Sequence, residues 1–215
     1  MRQRKARDLQ QRLQGCSEYM ELAPTPQAWE ETFGSGNDLY LEIGCGKGNF
    51  IIKKAEENPQ NCYIAVEGQE TVILRGLEKL RQRDEAGQGI GNLRFVLAFI
   101  NHMGDFFYEN RLSGIYLNFS DPWPKSRHKK RRLTHRDRLT AYKKALKPGG
   151  FIEIKTDNDD LYDFTLEEIH ALGYEIAEQT RDLHASQFTS KDTMTEYEEK
   201  FKSSGKNINY VKLVF

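Results

Sequence analysis

The chain has 215 residues, 38% of them apolar and 30% charged, with 32 basic side chains balanced by 32 acidic ones. That is enough for one core of ordinary size. No apolar run approaches the roughly 20 residues that span a bilayer, and the basic, polar N-terminus lacks the apolar core of a signal peptide, so a cytoplasmic protein with no membrane partner is expected. The three cysteines, Cys16, Cys45 and Cys62, form no C-x-x-C pair, which speaks against both a disulfide framework and a zinc site.

Residues 1–33 show no strand pattern and carry Arg2, Arg4, Lys5, Arg7 and Arg12. They read as a basic arm, mobile or ordered by a partner, ahead of a single domain over residues 34–215. Residues 38–43 form a short strand that runs into Gly44, Gly46 and Gly48, and a helix follows, ending near Pro59. Residues 62–66 form a second buried strand ending at Glu67; Ile73, Leu77 and Leu80 mark the apolar face of the next helix. The apolar run over residues 93–100 suits a central parallel strand covered on both faces, and Asn101 ends it. A strand over residues 114–119 then leads to Asp121. A helix is expected over residues 134–146 with Thr134 as N-cap, followed by a strand over residues 151–155 ending at Asp157, a further helix and a last strand over residues 174–177. This alternation predicts an α/β fold, a doubly wound, mostly parallel sheet with helices on both faces.

Ligands of such sheets bind at the carboxyl ends of the strands. Glu42, Gly44, Gly46, Glu67, Asn101, Asp121 and Asp157 all fall at or just past predicted strand ends. The glycine spacing, with Glu42 two residues before Gly44, differs from the dinucleotide fingerprint G-x-G-x-x-G. That carboxylate repels a diphosphate and welcomes a cation. S-adenosylmethionine carries an ammonium and a sulfonium, and its ribose hydroxyls suit an acid such as Glu67.

Asp121 lies in Asp121-Pro122-Trp123-Pro124, where two prolines hold the carboxylate at low entropic cost. Lys125, Arg127, His128, Lys129, Lys130, Arg131 and Arg132 follow at once. So dense a run repels itself in the free protein, and it binds a nucleic-acid backbone strongly through counterion release. His128 and His135 have no carboxylate or thiolate ligands alongside, so no metal is expected.

The motifs N-F-S-D-P-W-P-K-x-R-H-x-K-R-R-L over residues 118–133, K-T-D-N over 155–158, M-T-E-Y-E-x-K-F over 194–201 and E-I-G-C-G-K-G over 42–48 resemble, in order, those of the bacterial tRNA (guanine-N7)-methyltransferase family. The resemblance implies a Rossmann-like class I methyltransferase with a seven-stranded sheet whose final strand is antiparallel. It also implies methylation of a guanosine in the tRNA variable loop, position 46 in tRNA numbering. By motif position, Glu42 and Glu67 would bind S-adenosylmethionine, Asp121 would be cofactor-proximal and catalytic, and Lys125, Asp157, Thr195, Glu196, Tyr197 and Glu198 would hold the substrate. The chain departs from the family at the end of the third strand. An acid facing the adenine falls at Phe99, which accepts no hydrogen bond, and Asn101, on the same side of a strand, is the alternative acceptor. The competing readings are a methyltransferase of a small molecule or protein, and a non-catalytic RNA-binding protein on a retained fold. Either a monomer or a homodimer is compatible with the sequence.

Overall fold

Apolar runs punctuated by glycine and proline become strands, and amphipathic stretches between them become helices, in both of the units into which the chain divides, residues 1–107 and 108–215. The computed structural model describes residues 8–188 and 207–215. In the first unit, α1 (Leu9–Gln14) and α2 (Pro26–Phe33) precede β1 (Leu39–Ile43), α3 (Asn49–Glu57), β2 (Cys62–Glu67), α4 (Glu70–Glu85) and β3 (Leu93–Leu97). The strands lie in the order β3-β2-β1 and pair in parallel, which sets Glu42 opposite Ala65 and Glu67 opposite Leu97. Leu39, Leu41, Ile64 and Phe95 are fully buried, as are Ile73 and Leu77 on the inner face of α4 and Ile51 on α3. Each such side chain stabilises the unit by about 2 kcal/mol relative to exposure.

The basic arm expected over residues 1–33 is a packed element from residue 8 onward. Cys16 and Trp29 are fully buried, the Trp29 indole N–H donates to the Phe106 carbonyl at 2.8 Å, and Arg12 Nε donates to Glu78 on α4 at 2.9 Å. The sequence hides this because α1 and α2 are only 6 and 8 residues long, too short to display a period. Local signals start α2: Pro26 is its first residue and the Thr25 hydroxyl accepts from Ala28 N–H at 3.2 Å, a cap whose loss costs about 1 kcal/mol. Arg2, Arg4, Lys5 and Arg7 lie outside the described residues.

The strand expected to be central is instead last in its row. β3 pairs with β2 on one side, and on the other, among the described residues, it meets a single bridge from Met20, where Glu21 N–H donates to the Phe95 carbonyl at 2.9 Å. Its apolar run was a poor guide to position because burial against α4 and against residues 16–33 gives an edge strand the composition of a central one.

The second unit holds β4 (Leu112–Asn118), α5 (Arg136–Ala145), β5 (Leu146–Thr156), α6 (Asp159–Ala171), β6 (Ile176–Thr180) and β7 (Asn209–Val214) in the sheet order β4-β5-β7-β6. β4 pairs parallel with β5, whereas β7 runs antiparallel to both β5 and β6. α5 starts two residues later than Thr134: His135 is its N-cap, with Nδ1 accepting from Asp137 N–H at 3.3 Å. Thr134 is fully buried and accepts a 2.8 Å hydrogen bond from Thr165 on α6. β5 begins at Leu146, five residues before the expected strand, so the Lys-Pro-Gly-Gly stretch lies within it. The units together supply a seven-stranded, mostly parallel sheet with helices, and the final strand is the reversed one.

Candidate active site

In the first unit the glycine loop leaves β1 at Ile43 and is tied to the end of β2. Gly44 and Cys45 N–H both donate to the Val66 carbonyl, at 2.8 and 3.0 Å. Gly46 N–H donates to Glu67 Oε2 at 3.1 Å, while Glu67 Oε1 accepts from Gln69 N–H at 2.9 Å. Gly44 and Gly46 have φ of 77° and 58°, conformations that strain any L side chain, and nothing lies within 4 Å of where a Cβ would stand. The main chain of the loop therefore faces open space in which a ligand can approach closely.

The electrostatics of this loop are negative. Glu42 is only 2% exposed at the end of β1, and Glu67 is half-buried. The Cys45 thiol between them is pushed well up, first by burial and then by the charges of Glu42 and Glu67. Burial disfavours charge of either sign, but the carboxylates of Glu42 and Glu67 give the loop a sign: they oppose a phosphate and favour a cation. The residues present thus fit a cationic amino-acid sulfonium with a ribose, with Glu42 and Glu67 as the groups that would hold it. Asn101 is exposed beyond the end of β3.

In the second unit β4 is buried along its whole length and ends at Asn118. The chain then turns through Phe119 at φ 50° and Trp123 at φ 42°, with Phe119 N–H donating to the Lys155 carbonyl at 2.9 Å. Between these two turns stands Asp121, exposed. Two non-glycine residues in the left-handed region within one short loop are uncommon and stand only where surrounding contacts hold them. Here the contacts are visible. Phe119 packs against Leu183, Ile208 and Tyr210, and the Trp123 carbonyl accepts from Arg132 Nη2 at 3.2 Å.

The basic run folds into a single 3-10 segment, Ser126–Arg131. Lys125, Arg127, Lys129, Lys130 and Arg131 are exposed, but His128 and Arg132 are half-buried. Arg131 lies over the Trp123 ring, 5.0 Å from its centroid, and the His128 ring meets it edge-on at 5.7 Å. Arg132 lies 4.3 Å over Phe164 of α6. Of the seven bases in this run, then, His128 and Arg132 hold the turn together and the other five present charge to solvent. The half-buried Trp123 ring is thus engaged by Arg131 and His128 within the turn itself.

Sequence reasoning missed the anchor of this turn. Four residues after Arg132, Arg136 donates to buried Glu168 on α6 through Nε at 2.9 Å, Nη2 at 2.8 Å and its own main-chain N–H at 2.7 Å. The Arg136 guanidinium hydrogen bonds hold the Glu168 carboxyl down to about 2, against the upward push of burial. The partners are 32 residues apart, so no local pattern reports them. Asp157 is half-buried just past β5, and Asn158 caps α6 by accepting from Leu161 N–H at 2.7 Å. Thr195, Glu196, Tyr197 and Glu198 lie outside the described residues. Among the described residues no three His, Cys, Asp or Glu side chains group as metal ligands, and no helix is long and apolar enough to cross a membrane.

This fold and loop define a methyltransferase of the Rossmann-like class I. Residues 36–211 match the family described as "Putative methyltransferase", and the solved "Structure of an Antibiotic Related Methyltransferase" superposes with a TM-score of 0.65 at 18% identity, covering 92% of this chain and 96% of that one. Nearer in sequence is the tRNA (guanine-N(7)-)-methyltransferase of Lachnoclostridium phytofermentans, 44% identical over 84% of this chain and 82% of that protein. The protein of the same name from Brevibacillus brevis is 42% identical over 86% of this chain and 84% of its own length. The chain belongs to the tRNA (guanine-N(7)-)-methyltransferase family.

Proposed function

We infer that this chain transfers the methyl group of S-adenosylmethionine to N7 of a guanosine in tRNA, and we assign that guanosine to the variable loop. The observation that carries the reading, beside the 44% identity to a protein of that name, is the contrast in charge within one chain. A glycine loop with two carboxylates suits a sulfonium and an ammonium, and an exposed acid followed at once by exposed cations suits a base on a polyanion. Glu42 holds the ammonium end of the cofactor, Glu67 the ribose hydroxyls, the main chain at Gly44 and Gly46 its flank, and Asn101 the edge of the adenine.

S-adenosylmethionine supplies an electrophilic methyl on a sulfonium. The N7 lone pair of guanine is free at neutral pH, so no base is required to unmask it. An N–C bond forms as the S–C bond breaks, the sulfur keeps the electron pair, and the positive charge passes to the purine with no proton lost. Alignment is then the main task of the protein, and it is worth several kcal/mol of barrier. Asp121 accepts from the guanine N1–H and 2-amino groups, orients N7 and stabilises the charge developing on the ring. Adenine offers no such pair of donors on that edge.

Lys125 and Asp157, with Thr195, Glu196, Tyr197 and Glu198, complete the hold on the nucleotide, while Arg127 and Lys129 to Arg131 contact phosphates. His128 and Arg132 support the same surface from within. Both described flanks of the segment carrying the Thr195 to Glu198 motif, Phe188 and Ile208, pack in one cluster with Phe119, two residues before Asp121. The test is to incubate the protein with bulk tRNA and methyl-labelled S-adenosylmethionine and map N7-methylguanosine. Label in tRNA that ribonuclease releases, mapped to a variable-loop guanosine, is expected; label in protein or small molecules alone would overturn the reading, and label at another tRNA guanosine would overturn the position.

A further inference from the structure

Phe99, just past the end of β3, is 70% exposed, although Phe95, on the same run, is fully buried. A single exposed aromatic needs no explanation by itself. Its surroundings are what point to a ligand. The ring rests against Gly68, where any added side-chain carbon would overlap it, and Gly68 directly follows Glu67, whose Cα pairs with that of Leu97, two residues before Phe99. The absence of a side chain at residue 68 brings an exposed aromatic ring onto the main chain beside the carboxylate assigned to the ribose.

A purine is joined to its ribose by one bond, so a ribose held at Glu67 carries its base within reach of the neighbouring ring. The phenyl group neither donates nor accepts a hydrogen bond. It offers a flat, apolar face, and a purine offers the matching one. We propose that Phe99 is the stacking platform for the adenine of the cofactor, so that this chain holds the face of the base by aromatic contact where the family resemblance led to the expectation of a carboxylate. The proposal rests on Glu67 being the ribose carboxylate. Stacking is tolerant of what decorates the rim of the base, and Asn101, exposed and able to turn either its amide oxygen or its amide N–H to that edge, adds little discrimination at the 6-amino group.

The test is calorimetric titration of the full chain with S-adenosylhomocysteine and with its inosine counterpart, which replaces the 6-amino group by oxygen. Phe99→Ala is expected to weaken S-adenosylhomocysteine roughly tenfold, Phe99→Leu to weaken it nearly as much because bulk without a flat face does not replace the ring, and Phe99→Trp to retain it. In the Phe99→Trp protein, saturating S-adenosylhomocysteine should quench indole emission beyond any change in the parent. The wild-type protein should bind the two ligands within about threefold, because no buried group is left unpaired by the swap. Phe99→Ala binding at wild-type affinity, or no added quenching in Phe99→Trp, overturns the proposal, as does a discrimination of a hundredfold or more against the inosine ligand. Glu67→Gln separates the two levels: if it weakens binding and Phe99→Ala does not, the ribose assignment stands and the platform falls; if neither substitution matters, both fall.

Discussion

The glycine loop after β1 and the basic turn after β4 carry charge of opposite sign, and they hold it by different means. In the loop the charge belongs to carboxylates that are buried or half-buried, and main-chain hydrogen bonds from Gly46 and Gln69 fix Glu67. In the turn five cations stand in solvent, and what is fixed is the backbone beneath them, through Trp123, Arg132 and the Arg136–Glu168 pair. A small cationic ligand is recognised by few groups in fixed places, so each substitution in the loop should be costly. A polyanion is recognised by many interchangeable charges, so the turn should be tolerant of single changes and sensitive to salt.

The sharpest test of this contrast is Asp121, an acid at the head of the basic turn. Asp121→Asn should lower the methyl-transfer rate by about 100-fold or more and leave tRNA affinity nearly unchanged, as read by single-turnover assays and filter binding; near-normal turnover would remove Asp121 from the reaction. Replacing Lys129, Lys130 and Arg131 together by glutamine should weaken tRNA binding by roughly 10- to 100-fold and flatten the plot of log K against log salt by about 2. S-adenosylmethionine affinity should not move, and an unchanged salt slope would mean that these cations touch no phosphate. Glu67→Gln should do the converse, weakening S-adenosylmethionine about tenfold with tRNA binding intact. A comparable loss in tRNA affinity would end the division of labour between loop and turn.

The smallest effect on turnover is expected at the anchor. Glu168 titrates near 2 in the folded chain against an ordinary 4.5, so its contribution to stability is complete above about pH 4.5 and fades as pH falls towards 2. Glu168→Gln should therefore cost about 2 kcal/mol at neutral pH, and its melting temperature should converge with the wild type on acidification. Parallel melting temperatures across that range would show that the Arg136 pair does not hold the turn.

Much of this was legible in the sequence because the chemistry sits at strand ends, where glycines, prolines and isolated acids interrupt apolar runs. Glu42, Glu67 and Asp121 stand out for that reason. What the sequence hid depends on partners far along the chain. Arg132 and His128 look like their neighbours until Phe164 and Trp123 are seen beside them, and Arg136 is one more base until Glu168 is found opposite. The burial of Trp29 and Cys16 leaves no trace in the sequence because short helices show no period. The edge position of β3 is hidden in the sequence because composition reports burial on the two faces of a strand and says nothing about its edges.

That edge has a consequence of its own. An outermost parallel strand offers its unpaired amides and carbonyls to any other extended chain, and exposed rows of this kind are where proteins self-associate. Here Met20 and Glu21 cap the row at Phe95, held there by helices that contribute none of the assigned cofactor or substrate groups. A version of the chain trimmed to residue 26 would keep the glycine loop, Glu67 and Asp121 and would expose that row. Its failing would be colloidal before it was catalytic, with aggregates appearing at concentrations where the full chain stays dispersed.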